Sequence, residues 1–137
     1  MKKLLFFLWF VVGSAFAEQF EVNIDRAART LQFEGENASY VMKVSVGSES
    51  SPTPTGCFTP DRVSPLTSAA ATGMTSAVST YVIYNEDNDK FIQGTSQTDL
   101  VGVESTRGPI IMSIVDAKIL YDQILARGLR NTLICIQ

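Results

Sequence analysis

The sequence predicts a mainly β domain with one α-helix late in the chain, and three observations carry that expectation. Phe20, Val22 and Ile24 alternate with Glu21, Asn23 and Asp25, the two-residue period of a strand with one buried face. The alternation returns at Leu31 and Phe33, and again from Tyr40 to Val46, where Tyr40, Met42, Val44 and Val46 are set against Val41, Lys43 and Ser45. Near the end, Ala117, Leu120, Tyr121, Ile124 and Leu125 fall at helical spacing instead.

The residues before this pattern read as a leader. Lys2 and Lys3 make a positive start, Leu4 to Val12 is apolar, and Ala15-Phe16-Ala17 offers a small-x-small cleavage site. Residues 1–17 are therefore expected to be a signal peptide, with an apolar core too short to span a bilayer comfortably. No cysteine follows the site for lipid attachment, so no stable membrane anchor is expected. The protein is expected to be periplasmic or secreted. Cleavage after Ala17 takes the 137-residue chain to 120 residues, enough for one domain over 18–137 and not two. Losing Lys2 and Lys3 moves the formal charge from −3 to −5. An acidic chain without basic clusters gives no footing for nucleic acid.

Along the domain, Gly35-Glu36-Asn37 turns the chain between the second and third strands. Ser48 to Pro54 is a polar loop that runs into Thr53-Pro54-Thr55-Gly56-Cys57-Phe58. Gly56, after an extended Pro-Thr pair, suits a turn or a close backbone approach. Thr59 to Ser79 is rich in Ala, Ser and Thr and reads as a surface loop, with room for a short helix near Ser68 to Ala71. Ser79 to Tyr84 is rich in β-formers, Asn85 to Asp89 makes a turn, and Lys90 to Gln93 returns, together a hairpin. Glu86, Asp87 and Asp89 lack the spaced ligands of a calcium loop and read as a solvated turn, so no metal and no cofactor is expected. Ser113 caps the late helix with Asp116 in capping-box position, Gly128 ends it, and Thr132 to Ile136 closes the chain as a buried strand.

Cys57 and Cys135 are the two cysteines. An oxidising compartment allows a disulfide between them, closing a loop of roughly 80 residues and worth about 4.5 kcal/mol in the chain-entropy account. The alternative is a pair of buried thiols behaving as small apolar side chains.

The stretch from Phe91 to Met112 has the frame of a catalytic loop. It resembles the active-site region of L,D-transpeptidases, cell-wall enzymes with a cysteine nucleophile. In that family an apolar residue, a histidine and a glycine end one strand. Ser/Thr-His-Gly-Cys follows further on, then an apolar residue, an arginine or asparagine, and a helix. Ile92-Gln93-Gly94 stands where the first motif would be, and Thr106-Arg107-Gly108-Pro109-Ile110-Ile111-Met112 where the second would be. Gln93 and Arg107 replace the two histidines, Pro109 the nucleophile and Ile111 the polar residue after it. Leu100-Val101-Gly102, Val44-Ser45-Val46-Gly47 and the Thr-Pro-Thr-Gly string also fall where the family carries equivalents. The resemblance spans Phe20 to Gln137. It implies an L,D-transpeptidase-like β-sandwich with one late α-helix, and it places Thr53 to Gly56 beside the site.

The residues themselves rule out the family's chemistry at these positions. Cysteine acyl transfer needs a thiolate, a base to generate it and donors for the oxyanion. Proline has no sulfur, and its nitrogen carries no hydrogen. Arg107 stays protonated and cannot act as a base. The chain holds no histidine, so no imidazole activates Cys57 as a relocated nucleophile. The degenerate positions Gln93, Arg107 and Pro109 leave no catalytic residue to assign. Thr106, Arg107, Gly108 and Gln93 remain as ligand-binding candidates, set against a bland role for Arg107 as an exposed partner of Glu104. The expected function is that of an exported, non-catalytic relative that binds peptidoglycan stem peptides or a cell-wall protein partner such as an active enzyme. A true L,D-transpeptidase-type enzyme with relocated catalytic residues is the rival.

Overall fold

Alternating strands at the start of the domain assemble into a meander because each carries its apolar residues on the same face. The computed structural model describes residues 19–67, 79–86, 90–106 and 108–137. The expected signal peptide, the short helix near Ser68 to Ala71, the tip of the acidic turn and Arg107 lie outside the described residues. The strands are β1 (Phe20–Asp25), β2 (Thr30–Glu34), β3 (Ser39–Lys43), β4 (Val46–Gly47), β5 (Gly56–Phe58), β6 (Arg62–Thr67), β7 (Ser79–Asn85), β8 (Lys90–Thr95), β9 (Glu104–Thr106) and β10 (Ile110–Ser113). The helix α1 (Ile114–Arg127) and the closing strand β11 (Thr132–Ile136) follow.

Two sheets carry the fold, with strand orders β3-β2-β1-β11-β5 and β10-β8-β7-β6, while β4 and β9 form a separate parallel pair. In the first sheet β11 runs parallel to β1, with Val22 opposite Ile134. In the second, β8 and β10 run parallel, with Gln93 opposite Ile111. A mainly β architecture with one helix is therefore what the chain adopts. Val22, Ile24, Leu31 and Phe33 of the first sheet share one apolar core with Ile83, Ile92 and Met112 of the second and with Ala117, Leu120 and Ile124 of α1. Burying such side chains contributes about 1.5–3 kcal/mol each. The Phe20 and Phe33 rings meet edge to face at 5.4 Å, and Phe33 stacks on Tyr40 at 4.9 Å. At the other end of the core, a register shift lies between Thr80 and Ile83. Tyr81 sits there at φ 54°, its ring centroid 5.2 Å from that of Tyr121 on α1.

Three local expectations are corrected. Part of the expected loop between Thr59 and Ser79 is the strand β6, paired with β7 from Arg62 opposite Tyr84 onward. It lies at the sheet edge, where Pro65 costs no ladder hydrogen bond. The third strand ends at Lys43 rather than continuing to Val46, and Val44, Ser45 and Val46 are all buried, so alternation fails there. On α1, Ala117, Leu120 and Ile124 are buried, but Leu125 is 49% exposed because the buried stripe is narrower than the apolar spacing suggested.

Candidate functional site

The parallel pairing of β8 and β10 brings the two halves of the degenerate motif side by side. Gln93 is fully buried in this layer, flanked in sequence by Ile92, also fully buried, and paired across to Ile111 at 4% exposure. The sheet here presents a shielded amide beside a shielded aliphatic group.

Two buried hydroxyls tie the neighbouring segments to this layer. Ser45 exchanges backbone hydrogen bonds with Ile111: its N–H donates to the Ile111 carbonyl at 2.7 Å, and the Ile111 N–H donates back at 3.1 Å. Its side chain reaches the other way, donating to the Leu100 carbonyl and accepting from the Val103 N–H at 3.2 Å. Ser45 is fully buried. It thus joins the end of the meander, the segment from Leu100 to Val103, and β10 in one connection.

Thr53 does the same for the loop before β10. Its Oγ1 accepts from the Gly47 N–H at 2.8 Å and donates to the Gly108 carbonyl at 2.8 Å. One hydroxyl supplies one donor and two acceptor positions, so both bonds are satisfied at once. The Thr53 carbonyl in turn accepts from Arg26 Nη1 at 2.9 Å. Gly47 is required in this packing, because a Cβ there would sit 2.1 Å from the Ser51 carbonyl oxygen and 2.6 Å from the Thr53 nitrogen. Gly108, at φ 123°, adopts a conformation that side chains resist, although nothing lies within 4 Å of where its Cβ would be. Gly108 therefore turns the loop in open space while its carbonyl is held from below.

The sequence-predicted positions divide as follows. Gln93, Gly108, Thr106 and Pro109 fall in adjoining parts of one region: Gln93 in β8, Gly108 and Pro109 immediately before β10, and Thr106 at the end of β9, paired with Gly47. Arg107 lies outside the described residues. Glu104, its bland partner in the sequence reading, pairs with Arg29 at 3.4 Å. Cys57 and Cys135 are opposite each other on β5 and β11 and are joined by a disulfide, with Cα atoms 4.0 Å apart. Both cysteines of the chain are thereby spent, leaving no thiol for nucleophilic chemistry. Among the described residues no group of three His, Cys, Asp or Glu side chains is placed to hold a metal ion. Ser45 and Arg26 were not singled out by the sequence as parts of the site. The signal for Ser45 was a polar residue inside the apolar run Val44-Ser45-Val46, where only a paired hydroxyl is tolerated when buried.

Comparison with known proteins agrees with this geometry. Residues 19–130 match the family model of the YkuD L,D-transpeptidase catalytic domain. No curated protein matches the chain. An L,D-transpeptidase from Mycobacterium smegmatis superposes with a TM-score of 0.69 at 18% identity, covering 87% of this chain and 58% of that one. An L,D-transpeptidase from Mycobacterium tuberculosis H37Rv gives 0.70 at 16% identity, covering 87% and 57%. L,D-transpeptidase 3 from Mycobacterium tuberculosis gives 0.67 at 15%, covering 87% and 61%. The chain spans less than two thirds of the length of each.

Proposed function

The chain belongs to the L,D-transpeptidase catalytic-domain family, and on that premise we propose that it is an exported, non-catalytic member that binds peptidoglycan stem peptides. The observation that carries this reading is a retained frame stripped of its reacting groups. Gln93, Arg107 and Pro109 occupy the positions of base and nucleophile, and the sequence contains no histidine. Around them stands an ordered scaffold: Thr53 holds the Gly108 carbonyl, and Ser45 holds β10.

In this reading Arg107 supplies the contact. Its guanidinium forms a fork suited to two carboxylate oxygens, and stem peptides carry free carboxylates. Thr106 and Gly108 flank it and bring the backbone close to the ligand. Pro109 stiffens the turn at the nucleophile position, and Gln93 is buried in β8 opposite Ile111. Residues 1–17 direct export to the periplasm or the medium, where the disulfide is maintained. Among the described residues no helix is long and apolar enough to cross a membrane.

Titration of the mature protein with a tetrapeptide-bearing muropeptide tests this directly. Wild type is expected to bind, and Arg107→Ala to weaken binding by about 1–3 kcal/mol, the range for hydrogen bonds to charged groups. The melting temperature of the variant should stay close to that of wild type. Equal binding by the two proteins, or none by wild type, overturns the stem-peptide reading in favour of a protein partner.

A further inference from the structure

We propose that the open edge of β3 is a docking site for an extended peptide segment of a protein partner, one that alternates basic and apolar residues. β3 is the outermost strand of the first sheet. Its pairing with β2 is bonded in alternation. The Gly35 N–H donates to the Ala38 carbonyl at 2.8 Å, and at the other end the Val44 N–H donates to the Arg29 carbonyl at 3.0 Å. Along the register between those two pairs, Tyr40 and Met42 turn their backbone groups inward to Phe33 and Leu31. Ser39 and Val41 therefore turn their N–H and C=O groups away from β2, to the side where the sheet ends. Both residues are exposed, Val41 at 68%.

The other sheet edges are blunted. β5 is three residues long, β6 carries Pro65, and the Ser45–Ile111 exchange ties β10 to the chain beyond β3. β3 has none of these protections, and unpaired edge groups are a template for another strand. A groove of about 1440 Å³ lies alongside, lined by Tyr40 and Val41, by Glu34 and Glu36, and by Gln123 and Ala126 of α1. Among its described lining residues, the carboxylates of Glu21, Glu34 and Glu36 stand against the guanidinium of Arg127 alone. That guanidinium is already engaged: it lies 4.8 Å over the Phe20 ring and donates to the Glu34 carbonyl at 3.3 Å. The groove is therefore acidic toward an incoming chain.

An extended segment added to this edge continues the two-residue alternation of the sheet. A residue set opposite Tyr40 falls on the core-facing side, where the Tyr40 ring and Ala126 offer apolar contact. Its neighbours fall on the solvent side, level with Ser39, whose hydroxyl donates to the Glu34 carboxylate at 2.6 Å. Lysine or arginine there meets the acidic rim, whereas aspartate or glutamate is repelled. The edge thus selects an apolar residue flanked by cations. The open run is short, because Ser45 is already bonded to Ile111, so side chains must contribute as much as the backbone. No residue lining the groove is among those proposed to hold the stem peptide.

Titration of the mature protein with the end-blocked peptide Lys-Val-Lys-Val-Lys, read by residue-resolved amide hydrogen exchange, tests the proposal. In the free protein the Ser39 and Val41 N–H groups should exchange faster than those of Tyr40 and Met42, which face β2. The peptide is expected to slow exchange at Ser39 and Val41, and to bind about tenfold tighter than Glu-Val-Glu-Val-Glu at low salt. Val41→Pro removes an N–H that β2 does not use, so the fold should survive while binding is lost. Should that variant fail to fold, Glu34→Lys decides, since it should weaken binding of the lysine peptide and strengthen that of the glutamate one. Equal binding of the two peptides, binding retained by folded Val41→Pro, or no slowing at Ser39 and Val41 overturns the proposal. So does slowing at these amides in the protein alone as its concentration rises, which would make the edge an interface between copies. No muropeptide enters the test, so its outcome is independent of the stem-peptide reading.

Discussion

At the scale of single residues, two buried hydroxyls tie the region together, with the Arg26 guanidinium on the Thr53 carbonyl. Thr53 satisfies a backbone donor at Gly47 and a backbone acceptor at Gly108. It is 3% exposed, so water cannot replace those bonds if the hydroxyl is removed. Thr53→Val keeps the shape and deletes the hydroxyl, and it is expected to cost about 1–3 kcal/mol in denaturant unfolding, the penalty for unsatisfied buried groups. Thr53→Ser should recover most of that loss. A valine variant as stable as wild type would refute the clamp. The sequence showed Thr53 as part of a Thr-Pro-Thr-Gly string but not what it touches, because its partners lie six and 55 residues away. Ser45 was less legible still. Local alternation set it on an outer face, and only its pairing with Ile111, far along the chain, turns it inward.

At the scale of elements, legibility followed the strength of local signals. The first two strands and the closing strand were readable because each buries one full face, and α1 because its cap and its apolar stripe agree. Ser113 Oγ accepts from the Asp116 N–H at 3.1 Å, and the Gly128 N–H donates to the Ile124 carbonyl at 2.8 Å. Ser113→Ala is therefore expected to lower stability by about 1 kcal/mol, measured as a shift in the urea midpoint at constant slope. No shift would mean that packing against β7 and β8, not the cap, sets where the helix starts. On the exposed side, the Asp122 carboxylate, 2.7 Å away, bonds to and attracts the Lys118 amine and raises its pKa above the ordinary 10.5. That contribution is present below the ordinary value and is lost as pH rises through the raised one, and salt screens it at so exposed a position. β6 is an edge strand, which tolerates the proline that normally signals a loop.

At the scale of the whole molecule, fold and frame were legible together, since the ordered landmarks in the sequence fall on neighbouring strands of one structure. The missing groups were legible too, because the absence of histidine is a property of composition and not of folding. What the sequence could not display was the burial of Gln93, shielded beside Ile111. Export is a claim at this scale as well. Protein recovered from outside the cytoplasm should begin at Glu18, and terminal sequencing that found Met1 there would contradict cleavage after Ala17. The most direct test of the central claim, that the family frame persists without its chemistry, is mass spectrometry of tetrapeptide-bearing muropeptides after long incubation with the mature, oxidised protein. The account predicts muropeptides recovered at unchanged mass, with no acyl adduct on the protein. Cross-linked or exchanged stem peptides that depend on the intact protein would contradict it.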